Sequence, residues 1–188
     1  MKVTILKESG YDEAALGFSL SYNSTTDRAK ELLPRYAFGN SGETKFLESI
    51  YLWLDVTAPR FWWQEADTYR LTTKESESTM HTLLRNKLKH TDFEYPIEDS
   101  YLSYLNDLID LYKDIKNLNK DDPNNYLVSV KNQLPEGFLQ RRIWVMNYRV
   151  LQNIYNQRCY HKLPQWKYFC NTMLKGCQHP EFLRKEIL

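Results

Sequence analysis

The segment LPEGFLQRRIWVMNYRVLQNIYNQRCYHKLPQW, residues 134–166, holds the densest group of side chains suited to an anion or a planar polar ligand. Read as one helix from Pro135 to about Tyr160, it puts Asn147 and Arg158 on one face, within roughly 20° at about 100° per residue. They stand roughly 16 Å apart at about 1.5 Å of rise per residue, with Leu151 and Ile154 between them. Arg149 and Asn153, four residues apart, make a second polar stripe. Two polar stripes on a mostly apolar helix suit two ligands, or one ligand and a neighbouring subunit. Capping interactions and surface ion pairs would give the same spacing.

Other residue types able to do chemistry are less specific. Cys159-Tyr160-His161 and Cys177-Gln178-His179 are C-x-H pairs with Cys170 between them. Their spacing is not that of a common zinc finger or ribbon, and buried thiols are the simpler reading. A Cys159 nucleophile with His161 as its base is conceivable. Trp62-Trp63 and Trp166 could stack on a ring or fill a core. Arg85, Lys87, Lys89 and His90 form a small basic cluster that suits the negative end of a helix. A Gly-rich phosphate loop is absent.

The elements that must position these groups can be read from periodicity. Met1 to Lys7 alternates, with Val3 and Ile5 on one face, as a short strand does. Residues 10–42 mix helical fragments with glycines and a proline and do not resolve. Thr44 to Glu48 reads as a short helix. Ile50 to Thr57 reads as a strand with Tyr51, Trp53 and Asp55 on one face and Leu52, Leu54 and Val56 on the other. Pro59 suits the first turn of a helix carrying Phe61, Trp62, Glu65 and Tyr69. Thr72-Thr73-Lys74-Glu75 has the form of a capping box opening a helix to about Leu88. Asp99 to Leu118 carries one apolar stripe of Leu102, Leu105, Ile109, Tyr112 and Ile115. Asn119 to Asn125 is a polar loop. Pro164 starts a helix ending near Gly176, and Pro180 opens a last short one. The sum is an α+β fold, helix-dominated, with a small sheet.

The chain has 188 residues, 42% of them hydrophobic, enough for one domain with a real core. A formal net charge of +1 gives no reason to expect nucleic acid or an anionic membrane as partner. Any anion site must therefore come from local arginines. The 14 tyrosines suit half-buried surfaces such as interfaces and planar-ligand pockets, or a Tyr-rich core. The start MKVTILKESGYDE lacks an apolar signal region, and no apolar run approaches the roughly 18 residues of a membrane helix. Three cysteines, an odd number, point to a reducing cytoplasm.

Three blocks resemble the flavin-dependent thymidylate synthases. That family's last shared block runs LP, an aromatic-rich helix, N-x-R-S-L-x-(N/H)-F-L-x-L-R, then A-Q-W-E. Here stand Leu134-Pro135, Asn147-Tyr148-Arg149-Val150-Leu151-Gln152-Asn153, Arg158, and Gln165-Trp166. Val150 replaces the usual Ser and Lys167 the Glu. Gly42 to Ile50 followed by Asp55 to Phe61 resembles the T-x-F-E-H and strand-A-P-x-F block, with Glu48 on the glutamate and Lys45 on a Thr/Ser position. Phe18 to Tyr22 resembles A-R-x-S-F, with Ser21 on its Ser. The hallmark R-H-R-x-x-S-x-N-E-x-S-x-R-Y falls on Thr68 to His81. Arg70 and Ser78 match and Thr73 stands in for Ser; Thr68, Tyr69, Glu75-Ser76 and Met80-His81 depart from it.

The resemblance implies a single domain over 1–188, a small antiparallel sheet packed with helices, and methylation of a pyrimidine deoxynucleotide monophosphate at C5, as from dUMP to dTMP. FAD would be the cofactor, and methylenetetrahydrofolate and NADPH the co-substrates, with no enzyme cysteine attacking the base. Around Cys159 nothing resembles the Pro-Cys-His site of the cysteine-dependent synthases. Ser21, Lys45, Glu48, Arg70, Asn147, Arg149 and Asn153 would contact the flavin. Glu65, where the family has Gln, and Ser76, Ser78, Lys131 and Arg158 would contact the nucleotide. A dianionic phosphate needs several donors, and Arg141 joins Arg70, Arg149, Arg158 and Lys131 as candidates. With Met80 where an arginine is expected, Arg60 or Arg142 would compensate, or the nucleotide differs. The alternatives are the same fold acting on another pyrimidine nucleotide such as dCMP, and a non-catalytic nucleotide-binding relative. The family assembles as a homotetramer with each flavin between subunits. Short length and an altered motif suit a phage or other mobile-element version.

Overall fold

Alternating burial builds the sheet. Leu52, Leu54 and Val56 are fully buried, whereas Tyr51, Trp53 and Asp55 on the opposite face are not. In the computed structural model, which describes residues 1–39, 42–118 and 123–184, the chain begins β1 (Lys2–Ser9), α1 (Tyr11–Ser21), α2 (Thr26–Tyr36), α3 (Phe46–Ser49), β2 (Tyr51–Pro59) and α4 (Arg60–Ala66). It continues β3 (Thr73–Ser76), α5 (Thr79–Thr82), α6 (Asp99–Leu118), α7 (Pro123–Gln133), β4 (Leu139–Asn147), α8 (Tyr148–Arg158) and α9 (Pro164–Gly176). Tight 3-10 turns lie at Gly42–Lys45, His90–Asp92 and Pro180–Phe182. The strands form one antiparallel sheet in the order β1-β2-β4-β3, so the fold is the α+β class expected.

The chain divides into two compact units. The first comprises Met1, Thr57–Gln64 and Ser76–Arg142 as far as described. Its apolar centre gathers Leu83, Leu84 and Leu88 with Leu105 and Ile109 of α6 and Leu127 and Val130 of α7. Of the stripe read on α6, Leu105 and Ile109 are packed in this centre and Leu102 and Tyr112 lie at its edge. The second unit comprises Lys2–Val56, Glu65–Glu75 and Ile143–Leu188 as far as described. Its centre is aromatic: Phe169 of α9 lies 5.7 Å from Trp144 and 5.9 Å from Trp166, ring to ring. Phe182 meets Phe46 edge-on at 5.3 Å. Among the described residues no helix is long and apolar enough to cross a membrane.

Gly10 fixes the turn from β1 into α1. Its φ is +97°, and a Cβ there would stand 2.2 Å from the carbonyl oxygen of Ser49 at the end of α3. Only glycine combines that left-handed backbone with so close an approach.

Several local expectations are corrected. Thr72 to Glu75 does not open a long helix: Thr73–Ser76 is the edge strand β3, and helix returns only over Thr79–Thr82. Neighbouring threonines favour extended backbone, and pairing with β4 satisfies it. The helix expected from Pro135 to Tyr160 is a strand followed by a helix that changes over at Asn147. Trp144 and Met146 are fully buried with Val145 only half-buried between them, the period of a strand. Pro59 closes β2 rather than opening the next helix, and Tyr69 lies beyond the end of α4 at Ala66. Of the expected loop over 119–125, residues 119–122 lie outside the described residues, while Pro123 to Asn125 open α7. The expectations for β1, β2, α6 and α9 hold within a residue or two.

Candidate functional site

The changeover at Asn147 decides how the polar residues of α8 are presented. Asn147 is the N-cap: its extended backbone precedes the helix and its Oδ1 accepts from the Val150 amide at 3.0 Å. This leaves the side-chain amide nitrogen as its remaining donor. Arg158 is the last residue of the helix. Between them Leu151 and Ile154 are buried, so the interior face of α8 is apolar and holds the helix in place.

Arg149 and Asn153 open onto a cleft of about 540 Å³, together with Asn156 and Gln157. The opposite wall is Thr68 to Leu71, the start of the altered hallmark motif. Arg70 is exposed there. Leu71 is 85% exposed and has φ of +59°, a strained conformation for a leucine. Strained backbone of this kind clusters at functional sites. Sequence reading gave no signal for it.

Arg149 is aimed by its neighbours. Its Nη2 donates to the Thr44 carbonyl at 3.0 Å and its Nη1 to Gln152 Oε1 at 3.4 Å. Glu48 stands 3.9 Å from its Nε. Gln152 is buried, and its Nε2 donates to the Ala37 and Phe182 carbonyls at 2.9 and 2.7 Å. Gln152 therefore locks the arginine to two other segments of the chain, a role sequence reading missed. Lys45 and Ser21 line a separate cleft of about 550 Å³ with Phe18, Tyr22 and Phe46. There the Tyr22 hydroxyl donates to Glu43, which holds the phenol above its usual pKa. Five of the seven flavin candidates thus line two separate clefts, Arg70, Arg149 and Asn153 one and Ser21 and Lys45 the other, while Glu48 and Asn147 line neither.

Glu65 and Arg158 meet directly. Arg158 Nη1 donates to Glu65 Oε2 at 2.8 Å, and its Nε donates to the Tyr69 hydroxyl at 2.8 Å. Trp166 Nε1 donates to the same carboxylate oxygen at 2.8 Å. The guanidinium lies 5.0 Å over the Trp166 ring and 5.7 Å over that of Tyr69, a double cation–π arrangement. His161 Nε2 approaches both, 2.8 Å from Arg158 Nη1 and 3.6 Å from Glu65 Oε2. Tyr69, His161 and Trp166 are thus parts of the arginine's seat, which sequence reading did not foresee.

The remaining nucleotide candidates belong to the other unit. Ser76 ends β3 and Ser78 precedes α5, both exposed. Lys131 Nζ lies 3.4 Å from the sulfur of Met80, so a cation reaches the position where arginine was expected. Arg60 and Arg142 are held elsewhere. Arg60 bonds the Leu134 carbonyl at 3.1 Å and pairs with Glu136, and Arg142 stacks 4.3 Å over Trp63. Cys159, Cys170 and Cys177 are all free thiols, and no cluster of three potential metal ligands occurs among the described residues.

This architecture has known counterparts. Two structures of the flavin-dependent thymidylate synthase ThyX from Helicobacter pylori, both with FAD and dUMP, match it at 16% identity and a TM-score of 0.74. One alignment covers 98% of this chain and 99% of the other, the second 99% and 98%. No curated protein matches significantly. The family model described as thymidylate synthase complementing protein matches residues 7–179, a span that includes both clefts and the Arg158 seat, and the chain belongs to that family.

Proposed function

We propose that this chain is a flavin-dependent thymidylate synthase, methylating dUMP at C5 with methylenetetrahydrofolate, with FAD as cofactor and NADPH as reductant. The carrying observation is the cleft in which positions 68–71 face Arg149 and Asn153. Its chemistry fits a flavin. Leu71 offers a flat apolar wall, the asparagines and glutamines offer hydrogen bonds to ring heteroatoms, and Arg70 and Arg149 offer charge to a pyrophosphate. FAD and dUMP are ligands of the Helicobacter pylori enzyme. A bound reduced flavin supplies the hydride.

The chain's own residues bind and orient. Arg70, Asn147, Arg149 and Asn153 hold the flavin, with Ser21, Lys45 and Glu48 beside them. Glu65 and Arg158 form one nucleotide-binding set and Ser76, Ser78 and Lys131 another. In the homotetramer we assign, these need not come from one subunit. No side-chain nucleophile is assigned, in keeping with Cys170 and Cys177, whose thiols burial pushes up to about 12. Three free cysteines fit a cytoplasmic enzyme.

A second reading rests on Glu65. Its Oε2 accepts from Arg158 and Trp166, leaving Oε1 as an open acceptor where the family has a glutamine. A carboxylate there favours a base bearing an amino group, so dCMP is the competing substrate. The test is an absorbance titration of the purified protein with FAD, then with dUMP and with dCMP, followed by product analysis with methylenetetrahydrofolate and NADPH. A flavin spectrum perturbed by dUMP, with dTMP formed, is expected. Perturbation by dCMP alone supports the second reading. A folded protein that binds no flavin would overturn both.

A further inference from the structure

In the first unit lies a cleft of about 770 Å³ whose lining includes none of the residues assigned to the flavin or the nucleotide, although Met80 at its edge meets Lys131. One wall is the turn from Met80 to Arg85 and the other is the C-terminal half of α6. Arg85, Lys113 and Lys116 line it, with His81, and among the described residues no carboxylate does. Leu84 and Leu127 give it an apolar floor and Tyr112 a ring.

The cations are drawn from two elements and converge on one cleft. Nearby, Lys87 pairs with Asp110 of α6 at 2.8 Å. Among the described residues Arg85, Lys113 and Lys116 have no ion pair, although α6 also carries Asp107, Asp110 and Asp114. The helix dipole accounts for lysines near the end of α6. It does not account for an arginine brought from a different element to face them. Lys113 and Lys116 are one helical turn apart, so their ammonium groups can engage successive phosphates while Arg85 closes from across the cleft. The volume is in the range of sites for nucleotide-sized ligands.

We propose that this cleft is an anion site for a small molecule carrying a di- or triphosphate. Three positive charges on one cleft match such a group better than a single phosphate. The ring of Tyr112 and the apolar floor would seat a base if the triphosphate belongs to a nucleotide.

The test is calorimetric titration of the full-length protein with inorganic tripolyphosphate, at low and high salt. One ion per chain should bind, more weakly at high salt. The exposed-face double variant K113A/K116A keeps helix-favouring residues and should lose affinity by roughly tenfold or more. K175A, a charge removed from α9, should leave it unchanged. FAD and dUMP titrations should be the same in K113A/K116A as in the parent, so a failure here is separable from a failure of the synthase reading. A parallel titration with dTTP distinguishes the sources. Tighter binding than tripolyphosphate, abolished by Y112A, identifies a nucleotide, and equal affinity identifies a free polyphosphate. No binding of either, or binding indifferent to K113A/K116A, overturns the proposal.

Discussion

Arg158 and Glu65 grip each other, Nη1 to Oε2 at 2.8 Å, between the rings of Tyr69 and Trp166. The arginine assigned to the nucleotide therefore already carries an internal carboxylate, and an incoming anion must share or displace it.

Replacing either partner should separate these roles. Arg158→Ala should weaken nucleotide binding by about 1.5–3 kcal/mol, the scale of a charged hydrogen bond. Glu65→Gln keeps the shape but removes the competing charge, so nucleotide affinity should rise. Both are read by titrating the flavin-loaded protein with dUMP. Unchanged affinity in Arg158→Ala would remove this arginine from the site.

Leu71 holds φ of +59° with its side chain 85% exposed. Leu71→Gly should relieve the strain at little cost in burial and stabilise the flavin-free protein by about 1 kcal/mol. That corresponds to roughly 2–4 °C in Tm for a chain of this size. FAD affinity should fall at the same time. A variant that is neither more stable nor weaker for FAD would mean the strain serves no site.

Asn147 is both a helix cap and a flavin candidate, and the two roles respond differently. Asn147→Ala should destabilise the apoprotein by about 1 kcal/mol through loss of the bond to the Val150 amide. Asn147→Ser retains a capping oxygen, so it should restore stability while still lacking the amide donor. If FAD affinity recovers with Ser as well, the residue acts only by capping. Denaturant melts and FAD titrations on the pair decide this.

Burial pushes the thiols of Cys170 and Cys177 up to about 12. A thiol whose folded pKa exceeds its unfolded value favours folding below the unfolded pKa, and that contribution is lost as pH rises toward the folded one. Stability should therefore fall between about pH 9 and pH 12, and Cys170→Ala should flatten that fall. At pH 8, a disulfide reagent should modify Cys159 in the native protein and reach the other two only after unfolding. Rapid native labelling of Cys170 would contradict its buried placement.

What the sequence determined alone was whatever a short window of residues decides. The stripe of α6, the alternation of β2 and the proline at the head of α9 each bury one face of one element, so their periods are visible locally. Register carried the resemblance that led to Arg70, Arg149 and Asn153, and those three line one cleft. Tertiary structure decided the rest because its causes are distant in the chain. Thr73–Ser76 and Leu139–Asn147 are strands because each pairs with another strand of the sheet, which overrides a capping pattern and a helical apolar spacing. Glu65 and Arg158 are 93 residues apart, and no periodicity relates them; only the packing of α8 and α9 beside Tyr69 brings the carboxylate to the guanidinium.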